Sequence, residues 1–325
     1  MRLFALHSSH TFGEKIAAIL NRSLDAHEER NFEDGEHKIR PLVSVRDEDV
    51  YLIQSLHADQ QQSVNDKLCK LLFFIATLKD AGAQRVTVIA PYLCYARKDR
   101  RTKARDPVTL RYVASLFEAV NVDRVVTLDV HNLQAFQNGF RCKTEHLEAQ
   151  KLFLAYFQQV FHSSEKVVVM SPDIGGVKRA EKFRDRLSGA LARPVDFAFM
   201  EKLRSKGLVS GEAVVGDVKG KAVIILDDLI SSGTTMSRSA AACIRSGATE
   251  VYAVATHGAF LEKANEAFQE KALKKILVTN TIPSGRLHET LEKEKLVVLD
   301  IAPLFAEVIQ RLHSGGSLVS LMDIE

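Results

Sequence analysis

The chain has 325 residues, of which 46% are apolar and 26% charged, with a formal net charge of +3. That is ample material for a core and more than one core usually holds, so two domains of roughly 150 residues each are expected and disorder is excluded. No long Lys/Arg block marks a nucleic-acid or membrane footprint, and the small positive balance suits anionic small molecules better than DNA.

The opening residues, MRLFALHSSHTFG, form a short apolar run broken by polar residues and lack a signal-peptide core. No window approaches ~18 consecutive apolar residues, so no membrane span is expected and the cytoplasm is the expected location. Cys69, Cys94, Cys142 and Cys243 stand far apart without a CxxC pair, and read as free thiols of a reducing compartment rather than as zinc or dithiol ligands.

In chain order, strands are predicted at DVYLIQSL, RVTVIAPYL, RVVTLDVH, KVVVMSPD, KAVIILDD, EVYAVATHG and KILVTNTI, with amphipathic segments between most of them. Near-continuous apolar strands separated by helices imply parallel sheets covered on both faces. A helix ending in LKDAGAQ, FEAVNVD or IRSGATE and followed at once by a strand recurs along the chain, as two related α/β domains would require. The expected division is an N-terminal domain over residues 1–150 and a C-terminal domain over 151–300. A helix at about 301–315 is expected to pack back on the first domain.

Ligands of open parallel sheets bind beyond the carboxyl ends of the strands, and several such ends here carry chemistry: PYLCYARKDRR, LDVH, SPDIGG, LDDLISSGTT and THG. Any one of these aspartates alone would read as a helix N-cap. Together they would converge on one edge if the sheet is parallel. In VIILDDLISSGTTMSRSA a strand from Val223 to Leu226 is expected to end at Asp227 and Asp228, with small residues through Thr235 and a helix from about Met236. Backbone N–H groups, hydroxyls and a helix dipole make that loop an anion cradle. Two carboxylates beside it suit the adjacent hydroxyls of a sugar, directly or through magnesium, so the combination points to a sugar phosphate. A P-loop is excluded, because its lysine is missing.

The stretch ILDDLISSGTT resembles the phosphoribosyl pyrophosphate (PRPP) binding signature of the type I phosphoribosyltransferase fold. The segments FEDGEHKIR, VRDEDVYLIQS, Asn65-Asp66, PYLCYARKDRRTKARDPVT, DVH, VVVMSPDIGGVKRA, VVGDVKGK, ATHG and VTNTIP follow in the order and approximate spacing of the ribose-phosphate pyrophosphokinase (PRPP synthetase) family. The resemblance runs from about Arg30 to about Leu312. It implies an α/β chain of two similar domains, each a parallel-sheet, Rossmann-like phosphoribosyltransferase fold. It also implies transfer of the diphosphoryl group of ATP to the 1-hydroxyl of ribose 5-phosphate, giving PRPP and AMP.

The resemblance further implies a residue for each task. Ser231, Ser232, Gly233, Thr234 and Thr235 would hold the 5-phosphate, and Asp227 and Asp228 the ribose hydroxyls. Phe32, Asp34 and Glu36, with Arg97, Lys98 and Asp99, would bind ATP, the first three reaching the nucleotide of a neighbouring subunit. A homo-oligomer follows, built on dimers and extending to a hexamer. His131, Asp173 and Asp129 are the metal candidates, for Mg2+, although ion hardness alone would not select a histidine. Lys202 and Arg204 in FMEKLRSKG match the two basic positions of the family's catalytic loop, where two cations would close over the diphosphoryl group.

Departures from the common bacterial pattern fall at Lys98, where glutamine is usual, in ISSGTT, in DVHNLQAFQNGF, and in the short segment between Lys202 and Gly216. They touch nucleotide selection, subunit contacts and regulation more than the reaction. Two other readings use the same loop: a phosphoribosyltransferase that consumes PRPP, and a non-catalytic subunit associated with the synthetase. YARKDR and KLR argue against the first, and the retained Lys202, Arg204, His131, Asp227 and Asp228 against the second.

Overall fold

The apolar runs of the sequence become the buried centres of two sheets, one in each of two units: Met1–Glu148 with the segment from Ile301, and Ala149–Asp300. This computed structural model describes every residue except 162–164, 206–207, 270–271 and 323–325, and every side chain except those, 202–212 and 322.

The first unit holds β1 (Arg2–Ala5), α1 (His10–Ile19), a separate antiparallel pair β2 (His27–Asn31) and β3 (His37–Pro41), then β4 (Asp49–Ile53), α2 (Val64–Asp80), β5 (Arg85–Ala90), α3 (Thr109–Ala119), β6 (Arg124–Leu128), α4 (Leu133–Gly139) and β7 (Lys143–Leu147). Its main sheet is wholly parallel, in the order β1-β4-β5-β6-β7. Alternate strand residues such as Val50, Leu52, Val86, Val88 and Val125 join Leu71 and Phe74 of α2, Phe117 of α3 and Phe136 of α4 in one core. Ser63 and Asp66 form a capping box at the start of α2, each side chain accepting the other's backbone N–H.

The second unit holds α5 (Gln150–Val160), β8 (Val167–Ser171), α6 (Val177–Ala190), β9 (Asp196–Ser205), β10 (Leu208–Val215), β11 (Ala222–Ile230), α7 (Thr234–Arg245), β12 (Glu250–Gly258), α8 (Lys263–Ala267), β13 (Lys275–Thr279), α9 (Glu289–Lys295) and β14 (Leu296–Leu299). The strand order is β10-β9-β8-β11-β12-β13-β14, parallel throughout except for the antiparallel edge strand β10. The chain then returns to the first unit as α10 (Ala302–Ser314), whose Phe305 ring meets Phe12 of α1 edge-on at 5.7 Å.

The recurring helix-to-strand joints share one mechanism. After α2, α3 and α7 the chain turns through Gly82 (φ 86), Asn121 (φ 58) and Gly247 (φ 89), left-handed positions where glycine costs nothing and asparagine little.

Among the described residues, seven strands are not among those read from the sequence. β2, β3 and β7 (HEERN, HKIRP, KTEHL) are charged and partly exposed, so they carry no apolar run. β1 and β14 are only four residues long. The stretch around Lys202 and Arg204, expected as a loop, has strand backbone: Lys202 pairs with Glu212 and Arg204 with Val209 across the β9–β10 hairpin.

Candidate active site

Topology selects one place in the second sheet. The chain winds from β8 out to β9 and β10, then returns to the other side of β8 as β11 and continues outward to β12, β13 and β14. The connections therefore diverge between β8 and β11. That is the topological switch point where a doubly wound sheet opens a crevice at its carboxyl ends. The first unit's sheet runs β1-β4-β5-β6-β7 without such a reversal.

Two loops leave this switch point. After β8, Ser171 Oγ donates to the Asp173 carbonyl at 2.6 Å, and Asp173 Oδ1 accepts from the Gly176 N–H at 2.9 Å. A Cβ added at Gly176 would lie 2.7 Å from Ser171 Oγ, so a larger residue there would displace the hydroxyl from its bond to the Asp173 carbonyl. This tight turn starts α6, and Arg179 in its first turn reaches across to β11. One nitrogen, Arg179 Nη1, donates to Asp227 Oδ1 at 3.0 Å and to Asp228 Oδ1 at 2.8 Å.

The two aspartates do not end their strand. β11 continues to Ile230, pairing Leu229 with His257 and Ile230 with Gly258 of β12, while its pairing with β8 stops at Ile225 and Met170. The expectation of a strand ending at Asp227 is thereby corrected. Backbone pairing on the β12 side holds the ladder through residues whose side chains would end an apolar run. Asp228 is 5% exposed. Its neighbour Asp227 has its carboxyl pushed up from the usual range, first by burial and then by the Asp228 charge, with Arg179 opposing both. One guanidinium thus partly neutralises two carboxylates, an acceptor pair suited to adjacent hydroxyl groups or a hard cation.

The loop from Ser231 to Gly233 follows, and α7 begins at Thr234, two residues before the expected Met236. Gly233 sits at φ 71 and lies against Phe268, whose Cζ would be 2.8 Å from an added Cβ. Beneath the loop, Phe260 and Phe268 pack edge-on at 6.1 Å. The Ile230 carbonyl accepts from the N–H groups of Ala259 and Phe260, and the Ser231 carbonyl accepts from Leu261. With its carbonyls held in this way, the loop presents the N–H groups of the first α7 turn, which have no partner within the helix. Thr234 and Thr235 are exposed there, and Ser232 Oγ donates to Thr234 Oγ1 at 3.1 Å. The geometry is that of an anion cradle beside a carboxylate pair.

The other candidates lie elsewhere. In the first unit, the Asn132 amide donates to Asp99 Oδ2 at 2.7 Å while Asn132 Oδ1 caps α4 through the Ala135 N–H. Asp129, at φ 40, donates its N–H to the Leu147 carbonyl, and the Val130 N–H donates to His146 Nε2. Asp99 is therefore joined to Asn132, the residue that follows the Asp129–His131 segment after β6. Arg97, Lys98 and His131 are exposed. Phe32, Asp34 and Glu36 occupy the tip of the β2–β3 hairpin. The Phe32 N–H bonds the Glu36 carbonyl there, Asp34 Oδ1 accepts from the Glu36 N–H, and the Arg30 guanidinium lies 5.1 Å from the Phe32 ring. Among the described residues, no hydrogen bond or ion pair joins this tip to residues 97–99. Asp173 lies in the second unit, and His131 and Asp129 in the first. The Lys202 and Arg204 side chains lie outside the described residues.

Arg179, Asn132 and Ser171 were not singled out from the sequence. Arg179 lies in a motif quoted for the resemblance, and its place in the first turn after a strand end was the available signal.

A sequence model for the N-terminal domain of ribose phosphate pyrophosphokinase matches residues 1–120, and one for a phosphoribosyl synthetase-associated domain matches residues 201–323. The chain is 37% identical to a ribose-phosphate pyrophosphokinase of Clostridium tetani, over 99% of this chain and 97% of that one. It is equally 37% identical to the Bacillus caldolyticus protein of that name, over 99% and 98%. The crystal structure of phosphoribosylpyrophosphate synthetase from Mycobacterium smegmatis superposes with a TM-score of 0.87 at 36% identity, covering 97% of this chain and 99% of that one.

Proposed function

The chain belongs to the ribose-phosphate pyrophosphokinase family, and on that premise we propose how its own residues divide the work of making PRPP. The reaction transfers the diphosphoryl group of ATP to the 1-hydroxyl of ribose 5-phosphate and releases AMP. Phosphoryl transfer needs positioning and charge neutralisation more than covalent chemistry.

Ribose 5-phosphate binds at the switch point of the second sheet. Its phosphate accepts from the backbone N–H groups and hydroxyls between Ser231 and Thr235, and its ring hydroxyls donate to Asp227 and Asp228. The observation that carries this reading is the shared guanidinium of Arg179, 3.0 and 2.8 Å from the two carboxylates, which holds a partly neutralised acidic pair next to an anion cradle. Two acceptors one residue apart match two adjacent hydroxyls.

ATP is assigned to Arg97, Lys98 and Asp99, and to Phe32, Asp34 and Glu36 of the hairpin tip. Arg97 offers a fork of donors for phosphate oxygens, and Phe32 offers a stacking face for adenine. The hairpin tip would serve the nucleotide of a neighbouring copy, so a homo-oligomer built on dimers, extending to a hexamer, belongs to the same reading.

For magnesium the residues assigned are Asp129 and His131 of the first unit and Asp173 of the second, of which the two carboxylates are the donors a hard cation prefers. When bound, the ion supplies charge neutralisation along the triphosphate. Lys202 and Arg204 are assigned to the diphosphoryl group in the transition state. Among the described residues no helix is long and apolar enough to cross a membrane, and we place the protein's work in the cytoplasm.

Incubating the purified protein with ATP, magnesium and ribose 5-phosphate, and following phosphorus NMR, tests this reading. AMP and PRPP should appear in equal amounts. Turnover of PRPP only with a base acceptor would mark a transferase, and no AMP release under any metal or phosphate condition would mark a non-catalytic subunit.

A further inference from the structure

Far along the chain from the switch point, three metal-competent side chains of the first unit meet: His7, just after β1, and His27 and Glu29 on β2. Their candidate ligand atoms all lie within 4.8 Å of one another. His27 Nε2 is 3.0 Å from Glu29 Oε1, and His7 Nδ1 is 3.9 Å from Glu29 Oε2. Atoms bound to one tetrahedral ion at ~2.0–2.2 Å are separated by about 3–3.5 Å, so closing this set needs a movement of at most about 2 Å.

The cluster is built rather than incidental. Glu29 and His27 side chains are 5% and 6% exposed. The His27 ring is fixed by stacking on Phe74 at 5.4 Å and by the edge of Phe4 at 6.1 Å. The Glu29 carboxylate is fixed by the His7 backbone N–H, which donates to Oε1 at 2.6 Å. The third member, His7, has a side chain 60% exposed, which leaves a path from solvent and an open position for water.

We propose that His7, His27 and Glu29 form a binding site for a borderline transition-metal ion, zinc being the representative, separate from the magnesium of the reaction. Two imidazoles and one carboxylate are a donor set for zinc, cobalt or nickel, whereas magnesium prefers an all-oxygen shell and retains its water. An ion there ties the end of β1 to β2, the strand that leads into the hairpin tip carrying Phe32, Asp34 and Glu36. Metal occupancy would therefore stiffen the hairpin assigned to ATP.

Titration of the full chain with zinc in competition with a chromophoric chelator tests the site, alongside cobalt titration read by visible absorption. The wild type should bind one zinc ion saturably, and cobalt should give ligand-field bands without the sulfur charge-transfer band that a cysteine site would produce. His7→Ala removes an exposed side chain and should weaken zinc binding at least about tenfold and abolish the cobalt bands. Glu29→Gln should do the same, with an unchanged far-ultraviolet circular dichroism spectrum showing that the fold is kept. Absence of saturable zinc binding to the wild type, or equal affinity in both variants, would overturn the proposal and leave an ordinary His–Glu ion pair.

Discussion

Arg179 and Asp228 are 49 positions apart in sequence yet meet at 2.8 Å, and the same Arg179 nitrogen also serves Asp227. Asp228 is almost wholly buried, and this guanidinium offsets part of the cost of keeping its charge there. Arg179→Ala should cost roughly 2–4 kcal/mol in urea unfolding, because it removes two charge-assisted hydrogen bonds from a carboxylate pair of which Asp228 is buried. Arg179→Lys should recover only part of the loss, since a point charge replaces a planar fork. Equal stability of all three proteins would show that the carboxylates do not need the contact.

Asp227 supplies a pH dependence. Its carboxyl is raised above the usual range by burial and by Asp228, so between the unfolded and folded values the native state holds a proton that the unfolded chain has released. Native stability should therefore fall as pH rises through that interval, and be lowest above the folded value. Asp227→Asn removes the titration, so its stability relative to wild type should be more favourable at pH 8 than at pH 4. Ribose 5-phosphate affinity of the wild type should rise over the same interval as the acceptor ionises. Isothermal titration and denaturant melts at the two pH values check both signs.

Gly233 combines φ 71 with close packing, since an added Cβ would stand 2.8 Å from Phe268 Cζ. Gly233→Ala should destabilise the second unit by about 1–2 kcal/mol through the left-handed backbone alone. Crowding against Phe268 should add to that and weaken phosphate binding. Adding Phe268→Leu should relieve the crowding but not the backbone cost, so thermal unfolding of the double variant should recover only partly. Full recovery would mean that φ is unimportant at this position.

A second charge network lies far along the chain from the acidic pair. Asp49 accepts from Arg85 Nε at 2.7 Å, from Tyr51 OH at 3.0 Å and from His313 Nδ1 at 2.8 Å, which anchors α10 to the start of β4. Burial opposes ionisation of Asp49, but the hydrogen bonds from Arg85 and His313 prevail and hold its carboxyl below the usual range. The stability it contributes is present above the unfolded value and lost as pH falls through the folded one. Arg85 is partly exposed, so Asp49→Ala should cost about 1–2 kcal/mol at pH 7 and less near pH 3. A cost that does not change with pH would contradict the ionised assignment.

What the sequence made legible follows from what each element buries. β4 and β8 are buried at every residue and β11 through its first five, so their apolar runs announced them. HEERN and KTEHL belong to exposed or edge positions and carry no such mark. The acidic pair and the Ser-Gly-Thr loop could be read locally, because a strand end, a loop and a helix start are consecutive in sequence. Arg179 carried only its place in the first turn after a strand end as a signal, because its partners come from a neighbouring strand. The extension of β11 past Asp228 was hidden for the same reason, being set by pairing with β12.

The division of labour between a binding loop and a transition-state pair meets its most direct test in Lys202→Ala. Turnover should be compared with ribose 5-phosphate affinity, the latter measured by isothermal titration calorimetry. If Lys202 acts on the diphosphoryl group only in the transition state, kcat should fall by about 10²–10⁴ while the Kd for ribose 5-phosphate stays within about threefold. A loss of affinity as large as the loss of rate would contradict that division and return Lys202 to ground-state binding.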